Sequence, residues 1–373
     1  MYRNPSLDHI IAEASKSALN ERLPDTVEQW IRESPSLILQ ILPYFSELPD
    51  KSPQIAIVLK LIVHLLDEIR YGMDRNSQQA RELFDQIQRR LSVLYQTNHY
   101  HKFSKLSAVL YDSRLPFQVD LSEDFLNKHQ EDVPDIFPVL PEMLEAICRS
   151  QRIHSSFELY DCLMSQLQIM PSTLQLALVY ELLTTTKPLP YEIVVMMLLH
   201  PRAEIRQQIA RLLLDVNNKK LFTPQDTRRL LVIRDWLPPQ ERSLIAQLIR
   251  SIRLQGIAPA PFPTNCVVNL AASPFDGAGA QLILFQAKQS NRRFIGSFIA
   301  KQGVGIREPW VSTKAVKQDY DKVCQEKGMV LKPVTLAYVN KLVQHFLAEG
   351  HKIDNIPSPA LLHIAELMGA QAW

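Results

Sequence analysis

The distribution of glycine constrains the fold more than any other feature of this sequence. Gly72 is the only glycine before residue 256, whereas nine glycines lie from Gly256 to Gly369. Because glycine is disfavoured inside helices and is common in turns and hairpins, residues 1–255 are predicted to be helical. The remainder is predicted to fold differently. We therefore expect a mainly α chain, a helical array followed by a small α+β domain.

Proline and charge divide the chain further. Residues 112–141 combine four prolines with acidic residues, and residues 257–264 carry a proline at every second position, which favours an extended linker. The apolar run from residue 54 to 70 is predicted to be a central buried helix. The predicted order is an N-terminal helical array (1–111), a proline-rich acidic connector (112–141), a basic helical region (142–256), the linker (257–264) and the α+β domain (265–373).

The C-terminal domain is predicted to begin with strands and to end with helices. The strand-like runs are 265–272, 281–288 and 293–301, with residues 289–291 as the turn of a hairpin. The predicted helices are 312–324, 333–349 and 359–368. Gly350 is expected to end the second of these helices.

Residues 200–216 carry a clear helical pattern. The helix opens after Pro201, has an arginine a few residues on, and places its apolar side chains on one face, at Ile205, Ile209, Leu212, Leu213 and Val216. Together with the preceding helix, this segment (189–216) resembles a HEAT repeat. The resemblance implies stacked helix pairs in a HEAT-like α-solenoid, an irregular one because no fixed period runs along the chain. An ordinary helical bundle is the alternative.

Cysteine usage and the N-terminal sequence predict the compartment. The four cysteines form no Cys-x-x-Cys pair and lack zinc-ligand spacing to histidine, which fits a reducing environment. The N-terminus has no apolar segment of the kind found in signal peptides. We therefore expect a cytoplasmic protein with no membrane segment, no metal and no cofactor.

Charge is distributed unevenly. Residues 202–253 contain eleven lysines and arginines against five acidic residues. Stacked helices would place such arginines on one face, where they could bind an acidic protein partner. Solvated helix faces are the alternative, and nucleic acid is not favoured because aromatic side chains for base stacking, such as Trp236, are scarce among these basic residues. The candidate partner surface comprises Arg202, Arg206, Arg211, Arg228, Arg229 and Arg234.

Two glycine-bearing loops of the C-terminal domain are candidate ligand sites. Exposed backbone N–H groups in such loops can bind an anion, and the predicted hairpin would bring both loops to one end of the sheet. A tight turn capped by Asp276 is the alternative for the first loop. The candidate residues are Asp276, Gly277, Gly279 and Gln281 in the first loop, and Lys301, Gly303, Gly305, Arg307 and Trp310 in the second.

One pattern in this domain resembles the core of a metal-dependent nuclease. Asp276 precedes a strand that carries Gln286-Ala287-Lys288. In such a core the aspartate holds a divalent cation and the lysine stabilises the attacking water or the phosphate charge. However, glutamine replaces the second carboxylate here, and an exposed lysine near a hairpin turn is the alternative.

No motif in the chain specifies a reaction, since the signatures of serine hydrolases, kinases, P-loop proteins and zinc proteases are absent. The sequence therefore favours a non-enzymatic protein-interaction scaffold or adaptor built on helical repeats. The alternative is a metal-dependent nuclease or a protein that binds nucleic acid or phosphate, with its site in the C-terminal domain.

Overall fold

The computed structural model describes most of the chain in two compact units. One unit comprises residues 1–143 and 161–175, and the other comprises residues 144–160 and 176–373. Most of the predicted connector 112–141 and of the predicted helix 312–324 lies outside the described residues. The described residues are 6–17, 22–49, 51–97, 100–113, 115, 117, 153, 155–167, 172–184, 188–216, 222–264, 266–312, 320–322, 324, 330–369 and 373.

The first unit is helical and is organised around one buried helix. Its helices are α1 (Leu7–Ala14), α2 (Asp25–Glu33), α3 (Ile38–Glu47), α4 (Gln54–Asp74), α5 (Gln78–Thr97) and α6 (Tyr100–Asp112). The helix α4 contacts all five others, and Leu61 and Leu65 on it are fully buried. This confirms the predicted central helix. Gly72 lies where α4 approaches α5 closely, because a Cβ atom there would be 2.6 Å from that of Ala80.

The second unit begins with helices. Two of them, α7 (Ser156–Leu167) and α8 (Ser172–Thr184), continue into the first unit, and four belong to the second unit alone: α9 (Pro188–Met197), α10 (Ala203–Val216), α11 (Pro224–Trp236) and α12 (Pro239–Leu254). Thr223 and Asp226 form a reciprocal capping box at the start of α11. Contacts join α9 to α10 and α11, and α12 to α10 and α11.

A five-stranded antiparallel sheet completes this unit with two further helices. The strand order is β4-β3-β2-β1-β5. The elements are β1 (Val267–Ala272), β2 (Ala280–Gln289), β3 (Arg292–Lys301), β4 (Gly305–Ser312), β5 (Lys332–Pro333), α13 (Leu336–His351) and α14 (Pro359–Met368). The prediction of a mainly α chain with a small sheet domain is confirmed. The helix α14 contacts β2, β4 and α11, so it joins the sheet to the helices.

The structure corrects two details of the C-terminal domain. Residues 305–310 belong to the strand β4 rather than to a loop. Gly350 lies inside the last turn of α13 instead of ending the helix, which continues to His351. The backbones of the two glycines lie close together, because a Cβ atom built on Gly305 would be 3.0 Å from the Cα atom of Gly350.

The proline-rich segment 257–264 has no regular secondary structure and is bound to its neighbours. The N–H of Ala260 donates to the carbonyl of Pro224 at 2.8 Å, and Arg228 donates to the carbonyl of Pro261 at 2.7 Å. The segment is therefore packed along the start of α11. The compact units accordingly do not divide at this segment, since both its flanks belong to the second unit.

Among the described residues, none of the helices is both long enough and apolar enough to traverse a bilayer.

Candidate binding cleft

The structure brings the two predicted glycine loops together at one end of the sheet. Ala280 pairs with Lys301 in the β2–β3 register, and the N–H of Gln302 donates to the carbonyl of Gly279 at 3.0 Å. The expected shared end of the hairpin is therefore present.

The first loop uses its backbone donors internally. The Asp276 carboxylate accepts from the N–H groups of Ala278 and Ala280, both at 2.8 Å, and the Asp276 carbonyl accepts from Gly279 at 3.1 Å. The side chain of Gln281 is also engaged, because it donates to the Ser273 carbonyl at 2.7 Å. This geometry is the tight turn capped by Asp276, the alternative that the sequence left open.

The second loop binds an anion that belongs to the protein itself. Gly303 has a positive φ of 72°, and its backbone N–H is near enough to the carboxylate of Glu349 on α13 to contribute to the lowered pKa of that group. A hydrogen bond from Lys352 is the main cause that lowers the pKa of Glu349, and the Gly303 N–H lowers it further. A carboxylate of the protein itself therefore lies beside this turn.

The remaining candidate residues of the sheet lie away from these turns. Arg307 pairs with Ile299 in the β3–β4 register, and Trp310 is an exposed residue of β4. Lys288 is exposed near the far end of β2, about 26 Å of strand from Ala280 at ~3.3 Å per residue. The structure therefore does not bring Asp276 and Lys288 together, as a nuclease core requires. Among the described residues, no cluster of three or more His, Cys, Asp or Glu side chains could hold a metal ion.

The predicted arginine surface is largely inside the protein. Arg202, Arg206, Arg228 and Arg229 are buried, whereas Arg211 is exposed and Arg234 is partly exposed and paired with Asp235. The expectation of an exposed row is therefore corrected for the four buried residues. The physical reason is that buried guanidiniums persist where carboxylates and carbonyls satisfy their donors.

Arg206 illustrates such pairing inside the helical part. It forms a bidentate ion pair with Glu241 of α12, at 2.7 and 2.8 Å. Its third nitrogen donates to the carbonyls of His200 and Pro201, which lie in the turn before α10. One arginine thus joins the α9–α10 turn to the next helix pair.

Arg229 is the centre of a second buried network. Its guanidinium donates to both oxygens of Glu366 on α14, at 2.9 and 3.2 Å, and to Glu192 on α9 at 2.8 Å. It also lies over the ring of Phe157, with its central carbon 4.8 Å from the ring centroid, and donates to the hydroxyl of Ser156 at 3.3 Å. A single side chain of α11 therefore links three other helices.

Glu366 receives a second arginine. Arg228 donates to the same carboxylate at 2.9 Å and lies over the ring of Phe262. Burial alone would raise the pKa of Glu366, but the two arginines, Arg229 above all, lower it below its usual value. Glu366 is therefore a buried carboxylate that stays ionised.

His363 lies one helical turn before Glu366. Its ring stacks on Phe157 with the centroids 4.3 Å apart and the planes within 3°, and Phe294 meets it edge-on at 5.9 Å. Burial lowers the pKa of His363 to about 4; Arg229 adds to this effect and Glu366 opposes it. The imidazole is therefore neutral at pH 7, in an orientation fixed by aromatic contacts.

These side chains line a cleft with a volume of about 650 Å³. Its walls are the start of α7, Glu192 of α9, the start of α11, the residues His363 and Glu366 of α14, and the β2–β3 turn from Gln289 to Arg292. The volume lies in the range of small-molecule pockets, ~300–1,000 Å³. All of the lining belongs to the second unit.

No pattern in the sequence predicts this cleft. Arg228 and Arg229 are predicted only as surface charge and residues 289–291 only as a turn, and none of the carboxylates nor His363 is a predicted site residue. The contacts that build the cleft join residues 37 to 206 positions apart, such as Arg229 with Glu192 and Phe157 with His363. The only local signal was the pairing of His363 and Glu366 on one face of a short helix.

Comparison with known proteins gives a family-model match over part of the chain and a distant relative. Residues 171–256, which contain α8 to α12, match the family model described as the Y4lR second domain. The chain is also 23% identical over 313 residues to the uncharacterized protein y4lR of Sinorhizobium fredii strain NBRC 101917 / NGR234, an alignment that covers 81% of this chain. The chain spans about 60% of the length of that relative. No solved structure matches the chain.

Proposed function

We propose that this chain is a non-enzymatic protein-interaction adaptor whose helical part is HEAT-like and whose recognition site is the cleft around Arg229. The observation that carries the proposal is the cleft itself, a cavity of about 650 Å³ lined by ionised side chains. Recognition sites are typically concave and contain a few precisely held polar groups.

The lining is held in place before any partner arrives. Arg229 is 2% exposed and donates to two carboxylates, and the ring of Phe157 contacts both Arg229 and His363. Side chains that are already ordered lose little conformational entropy on binding, so they favour affinity and specificity. This supports recognition by a rigid site.

The helical part supports an adaptor built on repeats. The helices α9 and α10 are joined by a short turn, and Arg206 connects that turn to Glu241 of the following helix pair. Contacts of this kind between successive helix pairs are what a stacked array requires. We therefore retain the HEAT-like arrangement as part of the proposal.

The test is site-specific photocrosslinking of the full-length protein in native lysate treated with nuclease. A benzophenone amino acid would replace Ser290, which is exposed at the mouth of the cleft. The matched control replaces Leu254, which is 81% exposed and does not line the cleft. We expect a discrete crosslinked protein from position 290 and none from position 254.

Two results would overturn the proposal. One is crosslinking of equal strength at both positions, because it would indicate nonspecific contact. The other is co-purification of a stoichiometric partner without any crosslink at position 290, because the recognition surface would then lie elsewhere. A partner that is lost on nuclease treatment would point to nucleic acid instead.

A further inference from the structure

Most of the charge in the cleft is neutralised by the protein itself. Arg228 and Arg229 share the carboxylate of Glu366, and Arg229 also pairs with Glu192. Two positive and two negative side chains therefore cancel within a set of close contacts. These paired side chains form the wall of the cleft and are not available to bind a further charged group.

His363 is different, because it lines the cleft and has an open hydrogen-bonding position. Among the described residues its ring makes aromatic contacts but no hydrogen bond. A neutral imidazole carries one N–H donor and one lone pair. The stack on Phe157 fixes the plane in which that donor lies, so the direction of its hydrogen bond is set in advance.

Arg292 supplies a cation at the mouth of the same cleft. It is the first residue of β3, it is exposed, and within the described part of the chain its guanidinium pairs with no carboxylate. An arginine fork has five N–H donors and matches a carboxylate with two parallel hydrogen bonds. The cleft thus combines an oriented neutral donor with an unpaired cation.

We infer that the cleft binds a carboxylate of a partner polypeptide, with the Arg292 guanidinium and the His363 imidazole as its donors. The inference rests on the proposed function, in which the cleft is the recognition site. It adds the chemistry of the group that is recognised, an aspartate or glutamate side chain or a C-terminal carboxylate.

A single negative charge fits this lining better than a phosphate does. Glu158, Glu192 and Glu366 all line the cleft. A phosphate monoester carries a charge of about −1.5 to −2 at neutral pH and would be repelled by these carboxylates more strongly than a monoanion. Moreover, the buried arginines are already engaged, so Arg292 is the only cation of the described lining without a carboxylate partner.

The test is a titration of the full-length protein, labelled with ¹³C in its histidine rings and followed by NMR. The probe is the peptide acetyl-Gly-Glu-Gly-amide, and the matched probe carries glutamine in place of glutamate. The signal of His363 is assigned from its loss in His363→Asn. We expect a saturable shift of this signal with the glutamate peptide and no saturation with the glutamine peptide.

Two arginine variants distinguish binding in the cleft from nonspecific attraction to surface charge. Arg292→Gln removes the proposed donor and should weaken binding at least about tenfold, as expected for loss of a charge-assisted hydrogen bond. Arg293→Gln is the control, because neighbouring residues of a strand point to opposite faces and Arg293 does not line the cleft. Its affinity should stay within about twofold of the parent chain.

Several results would overturn the inference. These are equal binding of both peptides, an equal loss in the two arginine variants, and tighter binding of inorganic phosphate than of the glutamate peptide. Absence of peptide binding together with a strong crosslink at Ser290 would refute the carboxylate chemistry while leaving the cleft as a recognition site. Absence of both signals would refute the proposed function as well.

Discussion

Replacing Glu366 with glutamine removes the carboxylate that two buried arginines share. In the parent chain this carboxylate accepts from Arg228 at 2.9 Å and from Arg229 at 2.9 and 3.2 Å. Breaking a buried pair by removing one partner costs about 3–5 kcal/mol, because the other charge remains buried. The glutamine carbonyl keeps part of the hydrogen bonding, so we expect a loss of about 3 kcal/mol in the free energy of unfolding, at the lower end of that range.

The second unit can be followed separately by tryptophan fluorescence. Trp236, Trp310 and Trp373 belong to this unit, whereas Trp30 belongs to the first. In a Trp30→Phe background, denaturant unfolding measured by fluorescence therefore reports the second unit alone. The control is Asp235→Asn, which removes only the partly exposed pair with Arg234 and should cost less than about 1 kcal/mol.

The difference in stability between the parent chain and Glu366→Gln should depend on pH. The pKa of Glu366 is lowered in the folded protein from an ordinary value of 4.5, so its ionisation stabilises the folded state at and above pH 4.5. That contribution is lost as the pH falls through the folded pKa. The difference between parent and variant should therefore shrink in acid. If Glu366→Gln lowers the free energy of unfolding at pH 7 no more than Asp235→Asn does, the network around Arg229 does not stabilise this unit.

Three further changes test other parts of the second unit. Because burial lowers the pKa of His363 from 6.5 to about 4, and that of His200 to about 3, the unfolded chain takes up protons first as the pH falls. His363 should therefore lower the free energy of unfolding of the parent by up to about 3 kcal/mol as the pH falls from 6.5 to 4. In His363→Asn the loss of stability with falling pH should be smaller by that amount, because His200 still contributes its own part. An unchanged dependence of stability on pH would contradict the lowered pKa of His363. Gly305→Ala should cost at least about 2 kcal/mol in denaturant unfolding, because its φ is +101° and α13 lies 3.0 Å from the added carbon, whereas Gly277→Ala, with open space, should be nearly neutral. Asp276→Ala should cost about 1 kcal/mol, by analogy with loss of a helix cap, and should speed hydrogen exchange of the two amides that its carboxylate holds; unchanged exchange would argue against that role.

Local sequence patterns predicted the helices and turns that depend on residues close together in the sequence. The scarcity of glycine before residue 256 predicted the helices, and the apolar run from residue 54 predicted α4 as a central helix. Residues 359–368 coincide with α14, which opens with a proline at its first position. The two-residue turn at Ser290 and Asn291 lies between β2 and β3 as the hairpin pattern indicated.

The strand β4 could not be predicted in the same way. Gly303 and Gly305 indicated a loop, and that interpretation extended to Trp310, although the segment from Gly305 is a strand. Gly305 is required for a nonlocal reason, namely the close approach of α13. The Gly303 turn likewise lies beside the carboxylate of Glu349, a residue 46 positions away that no local pattern connects to it.

The arginines show most clearly where the pattern of a single sequence stops being informative. A count of charges in residues 202–253 cannot separate an arginine in solvent from one that pairs with a carboxylate brought in from elsewhere. Arg206 meets Glu241 after 35 residues, and Arg229 meets Glu192 and Glu366 across 37 and 137 residues. The excess of basic residues in this segment is thus partly the complement of acidic residues outside it. The four buried arginines are therefore not available to a partner, which is why the proposed site depends on Arg292 rather than on them.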